Sequence, residues 1–141
     1  MTVLVLPPEF AAQIEREARA AFPRECCGLV EGRREESRAV ATALHPVKNL
    51  SPDTDRFELD PAAHLRLLRE ARQAGREIIG CYHSHPNGRA EPSKADAAGA
   101  GETDFLWLIA GVTEKAMTLG IFAWTGRDFT LVPRLAAAPA D

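Results

Sequence analysis

An apolar run that ends on a pair of histidines constrains the fold of this 141-residue chain more than any other segment. Residues 77–82 are mostly apolar and lead directly into His-Ser-His-Pro at residues 83–86. A short apolar run bounded by turn-forming residues predicts a buried strand, and Pro-Asn-Gly at 86–88 predicts the loop that follows it. Alternate residues of a strand point to one side, so His83 and His85 should face the same way.

The other segments alternate between helix and strand signals and predict one α/β domain spanning residues 1–135. Apolar residues four apart, and an aspartate before a proline, predict helices. These helices are expected at residues 8–20, 61–74 and 93–98. Short apolar runs predict further strands at residues 25–30, 39–44, 104–112, 117–124 and 128–132, the last two joined as a hairpin. Residues 33–36 should form a charged turn, residues 48–56 a loop, and residues 136–141 a frayed tail.

Composition and charge exclude several classes of protein. Hydrophobic residues make up 45% and charged residues 26%, which is the mix of an ordinary globular domain and not of a disordered chain or a coiled coil. The net charge is −3 and no basic block is present, so no nucleic-acid-binding footprint is visible. No apolar segment approaches the ~20 residues that a membrane helix needs. Three cysteines, two of them adjacent, fit a reducing compartment, and a cytoplasmic location is expected.

Asp96 is a third candidate metal ligand, eleven residues after His85 and inside a predicted helix. Two histidines and an aspartate suit zinc, and three protein ligands leave the fourth tetrahedral position to water, as in catalytic sites. Zinc lowers the pKa of bound water to about 7. Taken alone, the two histidines could equally be solvated residues at a strand end. Ser93 and Asp96 alone favour a helix capping box.

Glu25 stands where the first apolar strand begins, a place where a carboxylate ordinarily faces solvent. If that strand neighbours residues 77–83, however, the carboxylate can reach water at the metal site. A general base must lie within ~3 Å of the proton that it accepts, or one water away. Glu25 is therefore a candidate base.

The cysteines are expected to be structural. Cys81 lies on the same strand face as the two histidines and could serve a soft metal, but a free cysteine in an apolar strand is usually a small buried hydrophobe. Cys26 and Cys27 are adjacent and should point to opposite faces of their strand. No Cys-x-x-Cys pair is present, which argues against a zinc finger.

Together these residues resemble the motif of the JAMM (MPN+) metalloproteases. That motif is an upstream glutamate, then His-Ser-His-Pro, then a serine separated from the second histidine by seven residues, and an aspartate separated from that serine by two. The matching positions are Glu25, His83, Ser84, His85, Pro86, Ser93 and Asp96. The similarity extends over about residues 3 to 132 and is that of the short prokaryotic members; it also includes residues 25–28, Asn49, residues 57–61 and residues 107–109.

The resemblance implies a fold, a cofactor and a set of roles. The fold would be a mixed, curved β-sheet flanked by helices, the cytidine-deaminase-like arrangement of JAB/MPN domains. One Zn²⁺ would be held by His83, His85 and Asp96. Glu25 would be the general base that activates zinc-bound water, and Ser93 would stabilise the oxyanion of the tetrahedral intermediate.

The resemblance also implies a substrate class. Family members hydrolyse amide bonds at the C-terminal Gly-Gly of ubiquitin-like or sulfur-carrier proteins, and such a side-chain-free tail can lie extended against a sheet edge. The loop from Asn49 to Phe57 is the candidate flank of that groove, with these two residues as candidate substrate contacts. The chain lacks the long insertions of the eukaryotic members, which argues against polyubiquitin. It also has Ala-Gly at 110–111 where relatives often carry a serine. Whether the chain forms a homodimer is left open.

Three alternatives compete with this hypothesis. A RadC-like JAB protein, a group tied to DNA, is disfavoured by the net charge of −3. A non-catalytic MPN scaffold would have lost ligands, whereas all three candidate ligands and the glutamate are present here. A zinc nucleoside deaminase needs His-x-Glu and Pro-Cys-x-x-Cys, and neither motif occurs.

Overall fold

Eight strands form a single mixed sheet that three helices cover, in a computed structural model that describes residues 3–136. In chain order the elements are β1 (Val3–Val5), α1 (Pro8–Ala21), β2 (Cys27–Arg34), β3 (Arg38–Val47), α2 (Pro61–Gln73), β4 (Glu77–His85), α3 (Lys94–Gly99), β5 (Leu106–Val112), β6 (Met117–Trp124), β7 (Phe129–Leu131) and β8 (Arg134–Leu135). The predicted α/β fold is confirmed. Of the predicted tail, residues 137–141 lie outside the described residues.

The strand order across the sheet is β7-β6-β5-β4-β2-β3-β1-β8. The β4–β5, β1–β3 and β1–β8 pairs are parallel and the other pairs are antiparallel. The register of β2 shifts against both of its neighbours near Glu31, and such bulges bend a sheet. In the β2–β4 pair Cys27 lies opposite His83, so the residues just before β2 arrive at the histidine end of β4.

Both faces of the central strands are buried, and alternate residues divide between two apolar clusters. The cluster beneath α1 contains Ile14, Ala18, Val30, Ile79, Tyr82 and Leu108. The cluster beneath α2 contains Leu29, Leu67, Ala71, Ile78, Cys81 and Trp107. The two-residue period of a strand separates these sets in β5, whereas in β4 the alternation is reset at Ile79, which the β2–β4 pairing skips, so that Ile78 and Cys81 share one side. Burial on both faces explains why β4 and β5 are continuously apolar in sequence. His83 and His85 share the strand parity of Cys81 and therefore face the α2 side.

The helix ends follow the predicted local signals. Asp60 Oδ1 accepts a hydrogen bond of 3.0 Å from the Ala62 backbone N–H at the start of α2. Gly75 follows the end of that helix with a φ of 72°, a left-handed conformation that glycine adopts without strain. No helix within residues 3–136 is both long and apolar enough to cross a membrane.

The prediction lacks β8 (Arg134–Leu135) and differs from the structure in two further parts of the sheet. The apolar run at residues 3–6 was not assigned as a strand, yet Val3–Val5 forms β1 between β3 and β8, where it is paired with residues distant in sequence. The predicted turn at residues 33–36 is wrong for its first half, because β2 continues to Arg34. The side chains of Arg33 and Arg34 are exposed there, so charged residues can complete the strand beyond the core.

Candidate metal centre

The predicted site residues converge where β4 ends. His83 and His85 are the last alternate residues of β4, and Asp96 lies on α3, which follows the loop after that strand. Glu25 lies two residues before β2, which is hydrogen-bonded to β4. All four side chains are buried, with exposed fractions of 3% for Glu25, 0% for His83, 5% for His85 and 4% for Asp96.

The two imidazoles and the Asp96 carboxylate point at one another. His83 Nε2 and His85 Nε2 are 3.1 Å apart. Asp96 Oδ1 lies 3.0 Å from His83 Nε2, and Asp96 Oδ2 lies 3.2 Å from His85 Nε2. Potential ligand atoms of three residues, from the two elements β4 and α3, thus surround one point.

His85 is held in one tautomer by its second ring nitrogen. His85 Nδ1 lies 2.8 Å from the Arg89 carbonyl oxygen, which can only accept a hydrogen bond, so Nδ1 carries a proton and Nε2, which faces the centre, is the nitrogen available to a metal. Burial lowers the pKa of His85, but its hydrogen bonds with Asp96 and with the Arg89 carbonyl raise it by more than burial lowers it. The net effect is a raised pKa. Burial dominates for His83 and lowers its pKa.

Asp96 is oriented by the capping box of α3. The Ser93 hydroxyl oxygen accepts a hydrogen bond of 3.0 Å from the Asp96 backbone N–H, and Asp96 Oδ2 accepts one of 2.9 Å from the Ser93 backbone N–H. Burial alone would raise the pKa of Asp96, yet its bonds with His83 and His85 hold the pKa well below its ordinary value. Asp96 therefore takes part in the predicted helix cap and also stands at the predicted ligand position.

Glu25 differs from Asp96 in its surroundings. Its Oε1 atom is buried and has no hydrogen-bond partner among residues 3–136. Burial raises the pKa of this carboxyl to about 7, against an attraction to His85 that lowers it. One carboxylate oxygen of Glu25 and one ring nitrogen from each of His83 and His85 lie within 4.8 Å of one another. Two carboxylates, those of Glu25 and Asp96, thus lie close to the imidazole pair.

These side chains fit a divalent cation. Imidazole nitrogen and carboxylate oxygen are the donor types of zinc sites, and the unpartnered Glu25 oxygen is a buried polar atom that a cation or an ordered water would satisfy. Among the described residues, one cluster of potential metal ligands is formed by Glu25, His83 and His85. No cysteine belongs to that cluster.

The remaining polar and sulfur side chains near the site have structural surroundings. Ser84 points to the other face of β4, where its hydroxyl accepts a hydrogen bond of 2.8 Å from the Cys26 backbone N–H. Cys81 is fully buried in the α2-side cluster, and this burial raises the pKa of its thiol well above the ordinary value. Cys26 and Cys27 are free and buried as well. A neutral, buried thiol is a poor metal ligand, in agreement with the expectation that Cys81 belongs to the core.

The loop predicted to flank the groove lies against the centre. The Asn49 side chain makes three hydrogen bonds here. Its Nδ2 donates to the Glu25 backbone carbonyl at 2.9 Å, and its Oδ1 accepts from the backbone N–H groups of Ser51 and Glu58 at 2.9 and 3.0 Å. Phe57 is stacked on His83, with ring centroids 4.3 Å apart and an interplanar angle of 25°. Asn49 therefore ties the loop to the Glu25 segment, and Phe57 covers a candidate ligand.

Two cavities open on either side of the centre. One, of about 670 Å³, is lined by Glu25, His85 and Ser93 among others. The second, of about 590 Å³, is lined by Asp96, Phe57 and Trp107 among others. Arg56 and Ala95 line both, so the loop and α3 approach each other between the two cavities. Arg56 and Trp107 are not among the predicted site residues. Trp107 is brought to the site by the pairing of β5 with β4, and Arg56 by the folding of its loop, and local sequence reveals neither.

The glycine of the Ala-Gly pair at 110–111 has a local structural reason. A Cβ atom at Gly111 would lie 2.4 Å from the Gly88 carbonyl oxygen, in the loop that follows the histidines. A side chain at this position would displace that loop, which also carries the Arg89 carbonyl bonded to His85. The absence of a side chain therefore preserves the site.

Comparison with known families agrees with this geometry. A family model described as prokaryotic homologs of the JAB domain (Prok-JAB) matches residues 7–125. The chain belongs to this family. The predicted relation to short prokaryotic JAB/MPN proteins is thereby confirmed.

Relatives of this Prok-JAB chain carry enzyme names. A desampylase from Haloferax volcanii is 33% identical over 108 residues, covering 76% of this chain and 74% of the relative. A probable TtuB-protein conjugate cleaving protease from Thermus thermophilus is 37% identical over 89 residues, covering 62% of this chain and 54% of the relative. The Prok-JAB chain is accordingly a hydrolase, as predicted.

A solved structure shares the fold. The solution structure of a protein from Desulfitobacterium hafniense superposes with a TM-score of 0.82 at 26% sequence identity, and the match covers 96% of this chain and 94% of that one. The two proteins therefore share the sheet and helices described above over almost their whole length.

Proposed function

We propose that this Prok-JAB protein is a zinc-dependent peptidase or isopeptidase. The bond that it hydrolyses would be the amide bond at the C-terminal Gly-Gly of a ubiquitin-like or sulfur-carrier protein. The observation that carries the proposal is the buried Glu25 carboxylate, unpartnered at Oε1, beside the cluster of His83, His85 and Asp96. A proton acceptor beside three metal ligands serves hydrolysis, whereas a non-catalytic scaffold needs neither the acceptor nor the ligands.

His83, His85 and Asp96 would hold the metal. When bound, Zn²⁺ supplies Lewis acidity, which polarises a carbonyl group and lowers the pKa of water. Asp96 is the better third ligand of the two carboxylates, because its oxygens lie 3.0 and 3.2 Å from the two Nε2 atoms and its low pKa keeps it ionised. Glu25 then remains free for proton transfer.

Glu25 would move the proton. Its Oε1 atom accepts a proton from the attacking water and afterwards delivers it to the nitrogen of the leaving amine, so the carboxylate is regenerated at the end of each turnover. A base is most effective when its pKa lies near the working pH, and burial raises the pKa of Glu25 to about 7. The backbone of Glu25 is fixed for this purpose by the hydrogen bond from Asn49.

Ser93 would stabilise the developing oxyanion. Its hydroxyl oxygen already accepts from the Asp96 backbone N–H, which leaves the hydroxyl proton for donation. The residue lines the same cavity as Glu25 and His85, where the carbonyl of a bound substrate would lie. A single oxyanion donor is worth about 10²- to 10³-fold in rate.

Two observations support the substrate class. The relatives are named for desampylation and for cleavage of a TtuB-protein conjugate, which favours a conjugate of a small modifier protein. Arg56 of the loop from Asn49 to Phe57 and Ala95 of helix α3 line both cavities. A tail without side chains suits a path between them. We propose this loop, including Asn49 and Phe57, as one flank of the groove.

The proposal is tested with purified carrier proteins that end in Gly-Gly. Each carrier is linked through its C-terminus to cysteine, to a lysine side chain or to a peptide, and release is followed by mass spectrometry. Zinc-loaded wild-type protein should cleave at least one of these linkages, and a matched carrier ending in Val-Val should resist. The proposal is wrong if none is cleaved, or if a chelator leaves the cleavage unchanged.

A further inference from the structure

The two candidate histidine ligands differ in what holds their rings in place. His85 is oriented by a hydrogen bond of 2.8 Å between its Nδ1 atom and the Arg89 carbonyl oxygen. His83 Nδ1 is buried and has no hydrogen-bond partner anywhere in residues 3–136. Histidine ligands of metals almost always donate a hydrogen bond from the second nitrogen, which fixes both the tautomer and the ring plane. For His83 some other contact must define the ring plane.

Aromatic side chains provide that contact. Phe57 lies nearly parallel to the imidazole of His83, at a centroid distance of 4.3 Å and an angle of 25°. Trp107 meets the same imidazole edge-on, at 5.8 Å and 87°. Phe57 and Trp107 also contact each other, at 6.0 Å and 69°. The imidazole, whose side chain is fully buried, is therefore held on a face and at an edge by two rings that support each other.

Rotation of the His83 ring would have a chemical consequence. Nε2 faces Asp96 Oδ1 at 3.0 Å, and a rotation about the Cβ–Cγ bond would carry this nitrogen away from the centre. A ring stacked on Phe57 cannot rotate unless Phe57 moves, because the rotating ring would sweep through the space that the phenyl group occupies. Close packing of this kind confines a side chain to one rotamer.

We propose that Phe57 is a positioning residue for the metal: its stacking replaces the missing hydrogen bond at His83 Nδ1 and holds Nε2 toward His85 and Asp96. The inference rests on the metal site of the proposed function. It gives the loop from Asn49 to Phe57 a second role beyond flanking the substrate. Because Phe57 also lines the 590 Å³ cavity, direct contact with substrate is the rival explanation.

Metal affinity distinguishes the two explanations. The full chain is titrated with Zn²⁺ against a chromophoric chelator, and the visible spectrum of the Co²⁺-loaded protein reports the ligand geometry. Phe57→Leu should bind Zn²⁺ about 10-fold more weakly, the lower end of the range for loss of an outer contact to a metal ligand, and should alter the Co²⁺ spectrum. Phe57→Tyr keeps the flat ring and should restore both the affinity and the spectrum.

Phe129→Leu is the matched control. Phe129 contacts Trp107 edge-on, at 5.4 Å and 75°, and belongs to the same aromatic group without a ring contact to His83 among the described residues. This variant loses a comparable amount of apolar surface, so it should keep the wild-type zinc affinity and Co²⁺ spectrum. Phe57→Met fills the volume without a flat face and takes the place of Phe57→Leu if the leucine variant does not fold.

Several outcomes would overturn the inference. A Phe57→Leu protein with zinc affinity within twofold of wild type and an unchanged spectrum, but with a raised KM, would make Phe57 a substrate contact only. Equal losses in Phe57→Leu and Phe129→Leu would reduce the effect to general packing. Absence of metal binding by the wild-type protein would instead remove the proposed function, and the inference with it.

Discussion

At the scale of single residues, two buried carboxylates flank one pair of imidazoles, and their environments separate their chemistry. Asp96 is bonded to both histidines and stays ionised, while Glu25 is unpartnered at Oε1 and has a pKa raised by burial to about 7. Pairs of acids whose pKa values are moved in opposite directions commonly divide into a permanently charged group and a proton carrier. These different environments support the proposed roles of Asp96 as a metal ligand and Glu25 as the base.

Substitution of Glu25 tests the base role. Glu25→Gln keeps the size of the side chain but cannot accept the proton, so kcat should fall by about 10²-fold or more while zinc content stays at the wild-type value. The measurement is steady-state hydrolysis of a cleavable carrier conjugate alongside metal analysis. A glutamine variant with wild-type turnover would show that another group accepts the proton.

The pH dependence of the wild-type protein follows from the same residue. Glu25 is active as the carboxylate, so kcat/KM should be full above the pKa of the folded protein and decline as the pH falls through it. Burial places this pKa at about 7, and a bound cation favours the ionised form, so the acid limb should have its midpoint at or below about 7. In the Glu25→Gln variant this limb should disappear from the residual activity. A limb that persists unchanged would assign it to a different group.

At the scale of elements, α3 carries two functions in one turn. Its Ser93–Asp96 capping box satisfies backbone N–H groups of the helix and orients the Asp96 carboxylate toward the histidines. The helix has only six residues, so little else within it can fix the position of Asp96. Ser93 therefore has a structural role at the helix start beside the oxyanion role proposed for its hydroxyl.

A pair of substitutions separates these contributions. Ser93→Ala should lower kcat by about 10²-fold and destabilise the fold by about 1 kcal/mol, since it removes both the hydroxyl and the cap. Glycine is tolerated at the N-cap at a cost of a few tenths of a kcal/mol, so Ser93→Gly should recover most of the stability but none of the activity. Urea unfolding and hydrolysis assays measure the two effects. If Ser93→Ala retains activity at reduced stability, Ser93 is a cap and not an oxyanion donor.

Some helices and strands could be predicted from the sequence, and others could not. The start of α2 and the direction of the two histidines follow from local rules, namely an aspartate before a proline and the two-residue period of a strand. β1 has only a short apolar run as a local signal and the charged end of β2 at Arg34 has none, and both depend on pairing with distant parts of the sheet. The stacking of Phe57 on His83 and the hydrogen bonds of Asn49 depend equally on how a loop folds back.

At the scale of the whole molecule, the sheet is stable without reference to the site. Apolar clusters cover both faces, beneath α1 and beneath α2, and a chain of this length buries roughly 68% of its unfolded surface. The four polar side chains of the centre lie at one end of β4, beyond the last apolar residues of that strand. A metal there is accordingly expected to serve chemistry and not folding, so removing a ligand should leave a folded protein.

The most direct test of this account is the metal content of the protein purified without a histidine tag, measured by mass spectrometry for wild type, Asp96→Ala and Cys81→Ser. The account predicts about one zinc per chain in the wild type and in Cys81→Ser, and little or none in an Asp96→Ala protein that is still folded by circular dichroism. Wild-type protein that holds no zinc even after zinc is added back would contradict it, as would loss of zinc from Cys81→Ser with retention in Asp96→Ala.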